Sequence, residues 1–190
     1  MRNCEVCHSA CVPGARGRKP RFCSSRCRVV AHRRKSIPLE LLLEDRWIRH
    51  SNKRPMTVEG FWASSTNPVH WSPYEVAKKS LHGDGLGFVL NGDGIICIDL
   101  DHCITDGVIT SAAQSIVDSM AGAYVEISPS GNGLHIWGRA ELESGRRFVW
   151  NGQAVEIYPN GRYITMTGNI HRNGGLPELD LTNLLGETLA

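Results

Sequence analysis

The apolar residues of this 190-residue chain fall into short runs that are separated by polar turns rich in glycine. Six of these runs predict β-strands, at residues 86–90, 94–101, 124–128, 134–137, 155–158 and 163–167. Helical spacing predicts a helix over residues 110–120 and a short amphipathic helix over residues 38–47, the latter with Leu39, Leu42 and Leu43 on its apolar side. Mostly strands with a few helices between them indicate an α+β or mixed α/β domain.

Local signals predict where further elements begin and turn. Ser72 is placed to cap a helix, with Pro73 at the first helical position and Glu75 completing a capping box. The dipeptide Asn160-Gly161 predicts a tight hairpin that joins residues 155–158 to residues 163–167. The sequence Ser-Ile-Pro at 36–38 predicts a boundary between a first module, residues 1–35, and a second domain, residues 36–190.

Charge is distributed unevenly between these two parts. Residues 1–35 hold ten Lys/Arg and one acidic residue, a balance of +9, and residues 36–190 hold eleven Lys/Arg and eighteen acidic residues, a balance of −7. A basic segment on an acidic body predicts contact with nucleic acid, a solvated basic tail being the alternative. The chain begins Met-Arg-Asn-Cys without an apolar signal segment and has no run that could span a membrane, so we expect a cytoplasmic protein.

The cysteines of the first module predict a zinc site. Five of the seven cysteines lie within the first 27 residues, and four of them form two pairs, Cys4-x-x-Cys7 and Cys23-x-x-x-Cys27. Two thiolate pairs supply the four ligands of a tetrahedral structural Zn²⁺, and His8 or Cys11 is near enough in sequence to replace one ligand. With the basic helix predicted at 26–35, the module resembles zinc-ribbon-like modules, of which some bind nucleic acid and others recruit protein.

The strand predicted at residues 94–101 ends in Asp99-Leu100-Asp101. Because side chains alternate along a strand, Asp99 and Asp101 project from one face, with Cα atoms about 7 Å apart. The apolar residues between and before them, at 96, 98 and 100, face the opposite way into a core. Two neighbouring carboxylates repel each other, and a divalent cation of the Mg²⁺ or Mn²⁺ type removes that repulsion. Two solvated aspartates in a turn are the alternative.

Two later segments extend this polar pattern. Residues 128–133, Ser-Pro-Ser-Gly-Asn-Gly, form a turn whose backbone can approach a phosphate. His135 follows on the next strand, on the side opposite its apolar neighbours, where a packed core histidine is the alternative. Glu156 also faces away from its apolar neighbours, either as a further acid of the site or as an exposed partner of Arg162.

In this order, the three segments resemble the archaeo-eukaryotic primase superfamily, in particular its phage and plasmid primase-polymerases. That family has an Asp-x-Asp or Asp-x-Glu strand, a Ser/Gly turn that ends in a strand histidine, and a third acid on a later strand. Segments 53–72, 87–90 and 163–168 also resemble the family, over about residues 46–173 in all. The resemblance implies an α+β fold with an RRM-like mixed sheet core and flanking helices, beside the zinc-ribbon-like module.

The resemblance also implies roles for individual residues. Asp99, Asp101 and Glu156 hold two catalytic Mg²⁺ or Mn²⁺ ions in such a site. The phosphates of the incoming nucleotide are bound by His135 together with Ser128, Ser130, Gly131, Gly133 and Arg162. Gly133 stands where the family's Ser-x-His motif has serine, so the serine role falls to Ser128 or Ser130, and the third acid is Glu in place of Asp. If Glu156 is not a ligand, Asp106 and Glu126 are the nearest alternatives for the third acid.

The implied activity is template-dependent nucleotidyl transfer, as a DNA primase or polymerase in phage or plasmid replication, in the cytoplasm of a bacterial host. Two metal ions activate a hydroxyl for in-line attack on the α-phosphate of a dNTP or NTP, with release of pyrophosphate. The implied partners are a single-stranded DNA template and, because the sequence has no Walker A motif, a separate helicase. The alternatives are a non-catalytic zinc-containing DNA-binding replication factor and a metal-dependent nuclease.

Overall fold

The structure, a computed structural model, describes residues 2–4, 9–11, 20–28 and 37–186. The chain divides into two compact units, Met1–Ser36 and Ile37–Ala190. In the first unit, β1 (Arg2–Asn3) pairs antiparallel with β2 (Ala10–Cys11), and residues 25–28 form a short helix, α1. Cys7 and the rest of the predicted basic helix, residues 29–35, lie outside the described residues.

The second unit is built mainly from strands. They are, in chain order, β3 (Trp47–Ser51), β4 (Arg54–Met56), β5 (Gly85–Asn91), β6 (Ile95–Leu100), β7 (Ile104–Thr105), β8 (Val108–Ile109), β9 (Tyr124–Ile127), β10 (Leu134–Arg139), β11 (Arg146–Trp150), β12 (Gln153–Tyr158), β13 (Asn160–Met166) and β14 (Ile170–Arg172). The helices are α2 (Leu39–Leu42), a 3₁₀ turn (Pro68–His70), α3 (Tyr74–Lys79), α4 (Ser111–Ser119) and α5 (Thr182–Gly186). None of the helices in the described ranges is long and apolar enough to cross a membrane.

Two larger sheets and a small ribbon result. The six-stranded sheet has the order β11-β12-β6-β10-β9-β14, the four-stranded sheet has the order β13-β5-β3-β4, and β7 pairs with β8. All of these strand pairs are antiparallel, so the mixed sheet implied by the resemblance is replaced by an antiparallel one. Parallel pairing within the described residues is confined to isolated bridges, Ala123 with Gly175 and Arg139 with Glu178. The α+β class is confirmed.

The two faces of β6 contact two separate cores. Ile96, Ile98 and Leu100 pack with α4 and the C-terminal segment on one face. Ile95 and Cys97 face the four-stranded sheet, in a core that lies between the two sheets. The predicted alternation along this strand is therefore confirmed. The six predicted strands correspond to β5, β6, β9, β10, β12 and β13, and the helix at 110–120 is α4, capped by the Thr110 side chain.

The helix predicted over residues 38–47 is wrong in extent and in orientation. α2 is a single turn, and Trp47 already begins β3. Leu41 is fully buried, whereas Leu39 and Leu43 are 64% and 73% exposed. Trp47 Nε1 donates a hydrogen bond to the Leu41 carbonyl at 3.0 Å, which fixes this turn against the buried indole. In so short a helix, this tertiary contact and not helical periodicity selects the buried residue.

The capping role predicted for Ser72 is also wrong. Pro73 occupies the N-cap of α3, with no side-chain cap. Ser72 is buried, and both its N–H and its hydroxyl donate to the Trp47 carbonyl, at 2.9 and 3.1 Å. The bridge to β3 satisfies the Ser72 donors in the interior, where water cannot do so.

The hairpin predicted around Asn160-Gly161 is wrong because β12 and β13 belong to different sheets. The chain crosses from one sheet to the other at Pro159, and Asn160 then pairs with Asn91 of β5. The hairpin lies one strand earlier, between β11 and β12. Its two turn residues, Asn151 and Gly152, have φ of 47° and 82°, the positive values that a two-residue turn of this kind needs.

Candidate active site

A row of five polar residues crosses the six-stranded sheet at one register. Arg147 on β11 lies opposite Glu156 on β12, and Glu156 lies opposite Asp99 on β6. On the other side Asp99 lies opposite His135 on β10, which lies opposite Glu126 on β9. Directly opposed residues of antiparallel strands project from the same face of a sheet. All five side chains therefore face the space between the two sheets.

At one end this space opens into a cleft of about 400 Å³. Its floor is the row from Arg147 to His135, and β13 forms the facing wall. The predicted site residues that line it are Asp99, Asp101, Ser128, Ser130, His135, Glu156 and Arg162. Gly131 and Gly133 were also predicted to bind the nucleotide and are not among the described residues that line the cleft. Lys53, Arg147, Tyr158 and Tyr163 line it as well, and the sequence analysis assigned none of them to the site.

Asp99 is the central acid of the cleft. Its side chain is 22% exposed, and its Oδ1 atom is buried with no hydrogen-bond partner in the described part of the chain. Burial raises the pKa of Asp99, and the charges of Asp101 and Glu156 raise it further, against the opposing effects of His135 and Lys53. A buried carboxylate oxygen without a donor is unfavourable. A divalent cation, with its preference for carboxylate oxygens, fits this position.

Glu156 has a partner for each oxygen. Its Oε1 lies 2.5 Å from Nε of Arg147, and its Oε2 accepts a hydrogen bond from the Tyr158 hydroxyl. Arg147 is 70% exposed, so water competes for this ion pair and it exchanges readily. Arg147 thus takes the place that the sequence offered to Arg162, whose guanidinium lies 4.6 Å from the centre of the Tyr158 ring.

The three carboxylates share the cleft without forming a tight cluster. Within the described residues, one group of three or more His, Cys, Asp or Glu side chains has its ligand atoms within 4.8 Å of one another, and that group is Cys4, Cys23 and Cys27. Both oxygens of Glu156 are engaged, by Arg147 and by Tyr158, so a metal ion bound at Glu156 would compete with these partners.

His135 is held by Glu126, which the sequence offers as an alternative third acid and not as a partner of this histidine. Its Nδ1 lies 3.2 Å from Oε1 of Glu126, and its Nε2 lies 3.8 Å from Oδ1 of Asp99. Glu126 is fully buried. The available signal was an acidic residue within the otherwise apolar strand Tyr124–Ile127, on the same face as Tyr124. His135 is well packed, with 4% of its surface exposed. It also lines the cleft.

The Ser/Gly turn presents hydroxyl groups to the cleft. The Ser128 and Ser130 hydroxyls lie 3.0 Å apart. The Ser128 N–H donates to the Gly133 carbonyl and the Gly131 N–H donates to the Ser128 carbonyl, each at 2.9 Å, so these two amides are used inside the turn. A Cβ atom at Gly133 would lie 2.7 Å from the Leu100 carbonyl oxygen and 2.8 Å from Ser128 Oγ. A serine therefore does not fit at 133, and the Ser128 hydroxyl lies in that space.

In the first unit, the cysteines that the structure describes support part of the predicted zinc site. The Sγ atoms of Cys23 and Cys27 lie 3.5 Å apart, on either side of the start of α1. The Sγ atom of Cys4 lies within 4.8 Å of both. The Ser24 hydroxyl accepts a hydrogen bond from the Cys27 N–H at 3.2 Å, which holds the turn between the two cysteines. Three thiols in this arrangement fit a tetrahedral zinc ion with one further ligand.

Comparison with known proteins finds sequence similarity to a phage protein. The chain is similar to the DNA primase-polymerase of Nitratiruptor phage NrS-1, with 37% identity over 135 residues. The match covers 66% of this chain and 18% of the phage protein, so the chain spans less than a fifth of the length of that relative. No protein-family model matches the chain. The similarity therefore relates this chain to part of one phage protein that is named a DNA primase-polymerase.

Proposed function

We propose that this chain is a template-dependent nucleotidyltransferase, the primase-polymerase core of a phage or plasmid replication system. The observation that carries the proposal is the convergence of Asp99, Asp101, Glu156 and His135 on one cleft. Asp99 lies directly opposite both Glu156 and His135 in the sheet. The similarity to the primase-polymerase of phage NrS-1 supports the same activity.

In the proposed reaction the acids bind the catalytic metal. Asp99, Asp101 and Glu156 are the ligands, and Glu156 becomes available when it releases Arg147. Two Mg²⁺ or Mn²⁺ ions, when bound, neutralise phosphate charge and activate the attacking hydroxyl. The side chain of Asp99 is 22% exposed and its Oδ1 atom is buried, which limits competition from water for that oxygen.

The other polar residues of the cleft bind the nucleotide. His135 and the hydroxyls of Ser128 and Ser130 line one side of the cleft and provide hydrogen bonds to the triphosphate. Lys53, Arg147 and Arg162 line the remainder and provide positive charge, with the forked guanidinium groups suited to phosphate oxygens. Three cations and three acids in one cleft match a substrate that carries both phosphates and metal ions.

We also propose a structural Zn²⁺ ion bound by Cys4, Cys7, Cys23 and Cys27. A unit this small buries little apolar surface, so a metal would supply much of its stability. Metal analysis of the purified protein is expected to find about one zinc ion per chain. Retention of zinc in a Cys23→Ser/Cys27→Ser variant would contradict this site.

Labelled nucleotides test the activity directly. The purified chain is incubated with single-stranded DNA, Mn²⁺ and either dNTPs or NTPs, with and without an annealed primer. We expect products longer than the primer, and their absence in Asp99→Asn. Shortening of the labelled DNA would identify a nuclease. DNA binding without any extension or shortening would identify a non-catalytic replication factor.

A further inference from the structure

Glu126 is a buried acid that the proposed reaction does not use. It is fully buried on β9, directly opposite His135. Its carboxylate receives the N–H groups of Thr167 at 3.2 Å and Gly168 at 2.9 Å, both just after β13, and the hydroxyl of Tyr124 at 3.2 Å. These contacts fix the carboxylate between the two sheets.

The hydrogen bonds of Glu126 determine which ring nitrogen of His135 carries the hydrogen. The two backbone N–H groups can only donate. Tyr124 also remains a donor, because burial and the charge of Glu126 raise its pKa. A carboxylate that receives three donors accepts from its fourth partner too, and that partner is Nδ1 of His135 at 3.2 Å. Nδ1 therefore carries a hydrogen, and Nε2 is the ring atom that faces Asp99 and the cleft.

We propose that Glu126 is a positioning residue, which fixes the tautomer and the ring orientation of His135 for contact with the nucleotide phosphates. The inference rests on the proposed function, since it specifies how one residue of that site is prepared. Carboxylate partners of this kind orient metal-binding histidines in other proteins, where their loss costs about 10- to 100-fold in metal affinity or activity. Because Thr167 and Gly168 follow β13, both sheets contribute to the position of His135.

The variant Glu126→Gln distinguishes a role of Glu126 in orienting His135 from a purely structural role as a buried side chain. A glutamine has one acceptor oxygen, which Thr167 and Gly168 retain, so its NH₂ group faces Nδ1 and forces the opposite tautomer on His135. We expect KM for dNTPs to rise by about tenfold or more with little change in kcat. The double variant Glu126→Gln/His135→Ala should be no worse than His135→Ala alone. Tyr124→Phe removes one donor to Glu126 but leaves the His135 contact in place, and it should raise KM less than Glu126→Gln does.

Multiplied effects in the double variant would show that Glu126 acts independently of His135 and would overturn the proposal. A variant that fails to fold is replaced by a measurement on the wild-type chain, ¹⁵N NMR of labelled histidine. A His135 ring protonated at Nδ1 is expected, and a ring without that hydrogen overturns the proposal. If the wild type adds no nucleotide, the proposed function fails while the NMR result still decides the tautomer.

A second inference comes from an independent feature, an exposed aromatic surface beside the cleft. Phe61 and Trp62 are 71% and 52% exposed, and the guanidinium of Arg54 lies 4.0 Å from the centre of the Trp62 ring. Trp62 forms a bridge with Met56 of β4, and the Thr57 N–H donates to the Phe61 carbonyl at 2.7 Å. The two rings are therefore displayed on an ordered turn at the edge of the four-stranded sheet.

This aromatic surface is linked to the cleft through two adjacent residues of the chain, Lys53 and Arg54. Lys53 precedes Arg54 and lines the cleft, and its carbonyl accepts a hydrogen bond from the Tyr163 hydroxyl on β13 at 2.5 Å. The unit is acidic as a whole, yet Lys53 and Arg54 are basic, which favours an anionic partner here. Exposed aromatic rings beside cations are the means by which proteins bind single-stranded nucleic acid. We infer that this surface binds the single-stranded DNA template, with bases stacked on Trp62 and Phe61.

Binding of a dye-labelled oligothymidine to the full chain tests this surface by fluorescence anisotropy. Trp62→Ala is expected to weaken binding about tenfold, and Trp62→Tyr to restore most of it. Val149→Ala, which truncates another exposed apolar residue on β11, is the matched control and should bind like the wild type. The loss of affinity in Trp62→Ala should persist at high salt, where phosphate contacts weaken and stacking remains.

Unchanged affinity of a Phe61→Ala/Trp62→Ala variant for the oligothymidine would overturn the inference that this surface binds the template. So would an equal loss of affinity for blunt duplex DNA, whose bases cannot stack on these rings. If the wild type extends primers while the aromatic variants bind the template normally, the proposed function stands and only this inference fails. If the variants lose binding and no protein extends a primer, the surface stands and the proposed function fails.

Discussion

The two ends of the space between the sheets are built from the same strands and differ in almost every physical property. At the closed end, Cys97 on β6 lies opposite Trp137 on β10, and both are fully buried. The Trp137 ring packs edge-on against Phe88 with centroids 5.8 Å apart. One side-chain period further along β6, Asp99 lies opposite His135 at the edge of the open cleft.

This difference shows how a site with unfavourable contacts is accommodated in a stable fold. The buried packing at the closed end stabilises the register in which β6 pairs with β10 and β12. The same register then places Asp99 beside Glu156 and His135 without any need for attraction among them. The closed end should therefore control stability, and the open end should control activity.

Removal of an acid from the open end should give the largest effect. Asp99→Ala, Asp101→Ala and Glu156→Ala should each reduce the rate of nucleotide addition by about 10²–10³-fold or more, since each removes a metal ligand. Cys97→Ala is the matched control, two residues earlier on the same face of β6. Primer extension with Mn²⁺ should show a nearly normal rate for it. An equal loss of activity in Cys97→Ala would remove the distinction between the two ends.

Truncation of an aromatic residue at the closed end should give the largest loss of stability. Trp137→Ala leaves a cavity between the sheets and should reduce the free energy of unfolding by about 3–5 kcal/mol. His135→Ala, two residues earlier on the same strand, should reduce the free energy of unfolding by less, because the ring lies at the edge of the cleft. Urea denaturation of the three proteins measures the difference. Equal losses for both variants would contradict the comparison.

The residue types at each end of this space could be predicted from sequence more easily than the strand register that brings them together. Period-two alternation before Asp99-Leu100-Asp101 was enough to place the apolar residues of β6 in a core and to direct Asp99 to the other face. The opposition of Asp99 to Glu156 and His135 depends on the register of three strands that are distant in sequence. Nothing local to those strands specifies that register, so only the resemblance to a known family connected the three residues.

Two identical dipeptides show why the hairpin was misplaced. Asn160-Gly161 and Asn151-Gly152 carry the same turn signal, but only the second joins paired strands. The first lies where the chain changes sheets, after Pro159, and sheet membership is a tertiary property. The contact of Glu126 with His135 was not predicted for a related reason, since strand pairing brings the two residues together.

A smaller effect is expected from removing the charge of Asp99 while keeping its shape. Burial and the neighbouring acids raise the pKa of Asp99, so this residue favours the folded state only at acidic pH. That contribution is lost as the pH rises through the raised pKa, and at neutral pH the ionised side chain opposes folding. Asp99→Asn should therefore raise Tm in metal-free buffer at pH 7 by about 2–4 °C. The gain should vanish in acid, and a lower Tm at pH 7 would contradict it.

The smallest effect is expected at the outer end of the polar row, where Arg147 competes with a cation for Glu156. Arg147→Ala leaves Oε1 of Glu156 without its guanidinium partner, so Mn²⁺ should bind about two- to fivefold more tightly, as expected for the loss of one exposed ion pair. Tm should not change measurably, because water already competes for an arginine that is 70% exposed. Arg146→Ala is the matched control, since it removes the same charge from the adjacent residue of β11, on the opposite face of the sheet. Electron paramagnetic resonance of free Mn²⁺, without nucleotide, measures both affinities. Equal gains in the two variants would show that net charge, and not the Arg147–Glu156 contact, limits cation binding in the cleft.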